Sequence, residues 1–158
     1  MKRVYVETTV VSYYVARPSR DIIVAGRQES TRELWPKLTS QFEGCISFLV
    51  RDEVAQGEKV QASLRLDAIQ PFAVLQLDQS AAELAAKIIS GFGIPAEYPE
   101  DALHIAIAAV NGVDILITWN FAHMNNPFSR SKVREIVEAA GHMCPEICSP
   151  DELLEGEA

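Results

Sequence analysis

Apolar positions along the chain fall into two kinds of run. Short blocks rich in β-branched and aromatic residues (KRVYV, GCISFLV, FAVLQL and ILIT) alternate with longer stretches whose apolar residues recur at helical spacing. That alternation predicts an α/β domain with a mostly parallel central sheet sandwiched by helices. KRVYV reads as the first strand, followed by a short helix through VVSYYVA that Thr8 or Thr9 is placed to cap. A long helix is expected from Asp21 to Phe42, kinked or interrupted at Pro36. GCISFLV reads as the second strand, which puts Asp52 and Glu53 in the first turn of a helix through EVAQG. A further helix spans Lys59 to Ile69, and FAVLQL is the third strand.

Gln79 to Ser90 is expected to be helical, with Ser80 and Glu83 as a capping box and Gly91 or Gly93 as its stop. Pro99 marks the start of another helix, with Glu100 and Asp101 in its first turn and Asn111-Gly112 at its end. ILIT is too apolar for an edge strand and is expected to be buried on both faces. WNFAHMNNPFS reads as a loop, and Ser129 begins a basic helix, SRSKVREIVEAAG. A short strand near Glu146–Cys148 and a capped turn, SPDELL, follow. With no internal repeat or linker, residues 1–154 read as one domain and 155–158 as a frayed tail.

Composition adds exclusions. The 158 residues are 48% hydrophobic and 23% charged, with 8 Gly and 8 Pro, which fits a core-forming protein and not a disordered or fibrous one. The net charge of −8 argues against broad nucleic-acid binding through bulk charge, while leaving room for a local basic rim or a basic partner segment. No secretory leader and no membrane span is expected from the apolar runs. Three cysteines, Cys45, Cys144 and Cys148, fit reduced thiols and a cytoplasmic location. His142, Cys144 and Cys148 lie close together, but their spacing matches no common zinc pattern.

The chemistry is carried by acids at the edges of the apolar blocks. Glu7 follows VYV, Glu53 lies just after ISFLV, Asp101 opens DALHIAIAAV, and Asn120 follows ILIT by two residues. In a parallel α/β sheet, positions just past the carboxyl ends of the strands converge on one crevice. Carboxylates gathered there repel one another unless a hard cation lies between them, and Mg²⁺ or Mn²⁺ prefers such oxygen ligands. Sites of this kind handle phosphate esters.

The ordered set resembles the PIN-domain nucleases over nearly the whole chain. VYVETTVVSYY resembles the family's opening strand and acid, LVRDEVAQG the helix with the second acid, and DALHIAIAA the segment with the third. ILITWNFAHM corresponds to the last strand and the loop where a fourth acid usually follows Thr. Among family members the chain is most similar to the toxin components of VapBC toxin–antitoxin pairs, small single-domain proteins that cleave RNA. The resemblance implies a single PIN-like domain and metal-dependent hydrolysis of RNA phosphodiester bonds. It also implies an antitoxin protein as partner and a possible homodimer. Glu7, Glu53 and Asp101 would hold the metal, directly or through water, and Asn120 would assist the metal or the attacking water. Thr9 and Thr118 would orient a ligand or water. Two positions depart from the family pattern: Glu7 stands where Asp is usual, and Asn120 stands where a fourth acid is usual. Those departures support an alternative, a non-catalytic PIN-like module that binds RNA or protein. A small-molecule phosphohydrolase would need a nucleophilic Asp in a DxD after the first strand, where this chain has Glu7-Thr8-Thr9.

Other residues have competing readings. Asp52 competes with Glu53, which is preferred because it directly precedes an apolar residue, Val54. His104 lies one turn after Asp101 and reads as a packed histidine bonded to backbone, ahead of a catalytic base. Trp119 and His123 flank Asn120 and can either stack on a nucleobase or pack the loop down. Arg17 and Arg20, and later Arg130, Lys132 and Arg134, form either a phosphate-binding rim or a solvated face. GFGIPA carries no dinucleotide fingerprint.

Overall fold

RVYV forms strand β1 (Arg3–Val6), and Val4, Tyr5 and Val6 are fully buried. A strand apolar on both faces belongs inside a sheet covered by helices on each side. In the computed structural model, which describes residues 1–156, β1 is the central strand of five. The others are β2 (Glu43–Ser47), β3 (Ala73–Leu75), β4 (Ile115–Ile117) and β5 (Glu146–Cys148). Their order is β3-β2-β1-β4-β5, and every neighbouring pair is parallel. The register sets Tyr5 opposite Cys45 on one side and opposite Leu116 on the other. β4 is internal, as the ILIT run requires.

The order reverses at β1. From there the chain moves outward through β2 and β3, then returns to the far side of β1 for β4 and β5. Such a reversal leaves a crevice outside the carboxyl ends of the two strands that flank it.

Helices fill the connections: α1 (Thr8–Val15), α2 (Ile22–Leu34), α3 (Lys37–Ser40), α4 (Phe48–Val54), α5 (Lys59–Ala68), α6 (Gln79–Ser90), α7 (Pro99–Val110), α8 (Pro127–Ala139) and α9 (Pro150–Glu155). The helix expected from Asp21 to Phe42 is interrupted at Pro36, and Asp21 caps its first half through the N–H groups of Ile23 and Val24. α7 buries Ala102 and every residue from His104 to Ala109, which is why its sequence is apolar almost all round.

Several expected boundaries are corrected. The second strand stops at Ser47, and FLV begins α4. Val50 and Val54, four residues apart, are both fully buried, so helical spacing outweighs the β propensity of the run. Asp52 and Glu53 therefore lie in the last turn of α4, not in a first turn. Neither Thr8 nor Thr9 caps α1; Glu7 occupies that position and makes no side-chain capping bond. The expected Ser80–Glu83 capping box is replaced by Asp78, whose carboxylate accepts from the Ala81 N–H at 2.9 Å. α8 starts at Pro127, before Ser129, because Asn126 accepts from the N–H groups of Phe128 and Ser129. α9 runs through Glu155, one residue past the expected domain end, and the Ser149 N–H donates to the Glu152 carboxylate at 3.2 Å. Glu157 and Ala158 of the expected frayed tail lie outside the described residues. No helix among the described residues is long and apolar enough to cross a membrane.

Candidate functional site

The crevice at the reversal is lined by the predicted acids. Glu7 is the first residue after β1 and Thr118 the first after β4, and both are buried. Glu53 reaches in from the end of α4, Asp101 from the first turn of α7, and Asn120 from the loop after β4. Asp52, one residue from Glu53, is exposed.

Each carboxylate is anchored through one of its two oxygens. Glu7 Oε1 accepts from the hydroxyls of Thr9 (2.5 Å) and Thr118 (2.6 Å). Glu53 Oε1 accepts from the Thr8 hydroxyl (2.5 Å) and meets His104 Nε2 at 2.7 Å. Asp101 Oδ2 accepts from Asn120 Nδ2 (3.2 Å) and lies 3.3 Å from His123 Nδ1. The Thr9 backbone also hydrogen-bonds the Glu7 carboxylate, whereas among the described residues no hydrogen bond reaches the second oxygen of Glu53 or Asp101. Further hydrogen bonds fix the loop: the Trp119 N–H donates to Thr9 Oγ1, the Asn120 N–H to Thr118 Oγ1, and the His123 N–H to Asn120 Oδ1.

His104 sits at the centre of this set, 1% exposed. The expectation that it bonds to backbone is corrected: Nδ1 lies 2.7 Å from Tyr5 Oη and Nε2 2.7 Å from Glu53. Burial alone would favour the neutral ring, but the hydrogen bond to Glu53 and the charges of Glu7, Glu53 and Asp101 outweigh it and raise its pKa. With both nitrogens protonated, Nδ1 donates to Tyr5 and the Tyr5 hydroxyl donates to Ser47 Oγ at 2.7 Å. Burial, with Glu7 and Glu53 nearby, holds the Tyr5 phenol well above its usual range.

The carboxylates differ among themselves. Burial raises Glu7 above the usual range despite the His104 charge and the two hydroxyls. Burial also raises Asp101, partly opposed by His104, Asn120 and His123. For Glu53 burial pushes upward, but His104 and Thr8 outweigh it and lower the pKa.

Side chains named from sequence take separate roles. Trp119 is buried, donates its indole N–H to Thr31 Oγ1 at 2.9 Å, and stacks on Tyr13. It packs the loop down. His123 is partly exposed and stacks on Tyr98. Arg17, Arg20 and Lys132 are exposed; Arg134 pairs with Glu138 and Glu146, and Arg130 bonds Asn125. Tyr5, Ser47 and Tyr98 were not among the predicted residues. Tyr5 has a legible signal, a hydroxyl in an otherwise wholly apolar strand.

The carboxylates fit a hard cation in donor chemistry: three acids, two of them raised by burial. Among the described residues, no three His, Cys, Asp or Glu groups are drawn together closely enough to hold a metal ion as they stand.

No family model matches the chain, and no curated protein matches it. Ten chains of solved structures do. One belongs to VapBC2 from Rickettsia felis, solved bound to a DNA fragment from their promoter. It aligns with a TM-score of 0.55 and 15% identity over 76% of this chain and 89% of that one. The likeness is one of fold: a single α/β domain, five parallel strands flanked by helices, in the PIN-like arrangement.

Proposed function

We propose that the chain is a metal-dependent endoribonuclease acting as the toxin of a type II toxin–antitoxin pair. One observation carries the reading. Three carboxylates from three separate elements lie around buried His104 at the sheet's reversal point, each anchored by hydroxyl, imidazole or amide partners within the fold. The sequence resemblance and the fold shared with a VapBC2 chain support it.

Glu7, Glu53 and Asp101 would hold Mg²⁺ or Mn²⁺, which supplies charge neutralisation at a scissile phosphate and acidifies water. The remaining residues set the frame. Thr8, Thr9 and Thr118 fix the rotamers of Glu7 and Glu53, and Asn120 with His123 fixes Asp101. His104, its pKa raised by the acids around it, tethers Glu53 to the Tyr5–Ser47 chain in the sheet. The net charge of −8 suits a basic antitoxin segment as the partner that silences the site.

The test is titration of Mn²⁺ into wild-type protein and Asp101→Asn by calorimetry, with RNA cleavage measured on the same samples. Binding and cleavage should both vanish in the variant; full nuclease activity in Asp101→Asn would refute the assignment. Asn120 favours a second reading, a module that binds RNA or protein without turnover. Its amide nitrogen and oxygen are both taken up inside the protein, by Asp101 and by the His123 N–H, and it adds no charge. Metal-dependent cleavage that disappears when all three acids are replaced removes that reading.

A further inference from the structure

Tyr98 is the N-cap residue of α7, three positions before Asp101, and its backbone carbonyl accepts from the Asp101 N–H at 3.2 Å. Its ring is 42% exposed and stacks on the His123 imidazole, with centroids 3.7 Å apart and planes 22° from parallel. His123 in turn lies 3.3 Å from the Asp101 carboxylate. A partly exposed aromatic residue is thus fastened, through His123, to the acid crevice. Capping does not account for Tyr98 there, since it makes no side-chain cap bond.

We infer that the Tyr98–His123 stack is a binding platform for an unpaired nucleobase next to the scissile phosphate. The inference rests on the RNA reading of the crevice and names the subsite that would grip its substrate. Stacking on an exposed ring accepts any base, because every base offers a π face, and it requires a single strand whose bases can turn outward. The imidazole beneath serves two neighbours at once, supporting the ring above it and steadying Asp101. A base seated on Tyr98 would therefore press on the group that orients one of the acids. The surrounding chain is acidic, so stacking supplies attraction where bulk charge does not.

The test uses two short single-stranded RNAs, one intact and one carrying an abasic residue beside the cleavage position. Fluorescence anisotropy gives Kd for wild type, Tyr98→Ala and Tyr98→Phe, and cleavage is followed separately. Tyr98→Ala should weaken binding of the intact RNA roughly 5- to 160-fold, the range for one lost base–aromatic stack. Tyr98→Phe should bind like wild type, and the abasic RNA should bind equally to all three proteins. In cleavage, Tyr98→Ala should raise KM by about the same factor as Kd, and Tyr98→Phe should restore it. Equal Kd values for wild type and Tyr98→Ala on intact RNA, or no RNA binding by wild type, overturn the platform. Loss of cleavage with the Kd pattern intact instead defeats the nuclease reading and leaves the platform standing.

Discussion

Asn120 brings a dipole where a fourth charge would crowd Asp101. Its Nδ2 donates to Asp101 Oδ2, so Asn120→Asp exchanges a donor for a like charge at 3.2 Å. Without divalent metal the variant should lose about 1–2 kcal/mol of stability, in line with a buried acceptor deprived of its partner. With Mn²⁺ it should bind metal more tightly than wild type. Urea unfolding with EDTA and with Mn²⁺, read side by side, checks both directions. The thiols give a separate pH signature. Burial pushes Cys45 and Cys144 up to about 11 and Cys148 up to about 12, against an ordinary value of 9.0. Folded thiols therefore hold protons that unfolded ones release above pH 9. Stability should fall as pH rises from 9 toward 11–12 and show no contribution from these groups below 9. Tyr5, also raised, adds to the same decline. Alkylation at pH 8 should be slow in the native protein and fast in denaturant. At this scale the position of Glu7 was readable because a strand end announces itself in sequence, whereas Glu53 reaches the crevice from a helix end. The partners of His104 were not: Tyr5 lies 99 residues away and Glu53 51, and nothing local pairs them.

Gly44 in β2 shows how the elements pack. A Cβ there would come within 2.8 Å of the Phe72 ring and 2.9 Å of the Leu38 carbonyl oxygen, where α3 and the approach to β3 press on the strand. Gly44→Ala should destabilise by about 1–3 kcal/mol, the range for overpacking a close contact, which thermal unfolding would read as a lower Tm. The order and type of the elements could be read from the alternation of apolar runs, and α7 and β5 fall where expected. The junction after β2 could not. ISFLV looks like strand residue by residue, and only the burial of Val50 and Val54 on one helical face turns FLV into α4. That turn is functional as well as structural, since it swings Glu53 to the crevice from a helix end. Caps went to neighbours of the expected residues, Asp78 and Asn126, because several side chains near each helix start could serve and only the final backbone course decides.

Across the whole molecule, the sheet order gathers the acids and sets the conditions under which they are tolerated. Three carboxylates lie around buried His104 and raise its pKa, and a cation held among them would relieve their mutual repulsion. Under the proposed function, Mn²⁺ at 100 times its Kd should stabilise the protein by about 2.7 kcal/mol, and EDTA should abolish the gain. Differential scanning at several Mn²⁺ concentrations measures it, with Asp101→Asn as the variant that should not respond. The central place of β1 has one more consequence. Glu7 and Thr118, bonded in the finished crevice, are 111 residues apart, so a ribosome adding ~5–20 residues per second delivers them roughly 5–20 seconds apart. Throughout that interval the nascent chain has its first strand but no β4 beside it and no crevice to bind anything. Under the proposed function, the chain would stay harmless on the ribosome, and the cell would have those seconds in which to have an inhibitor waiting.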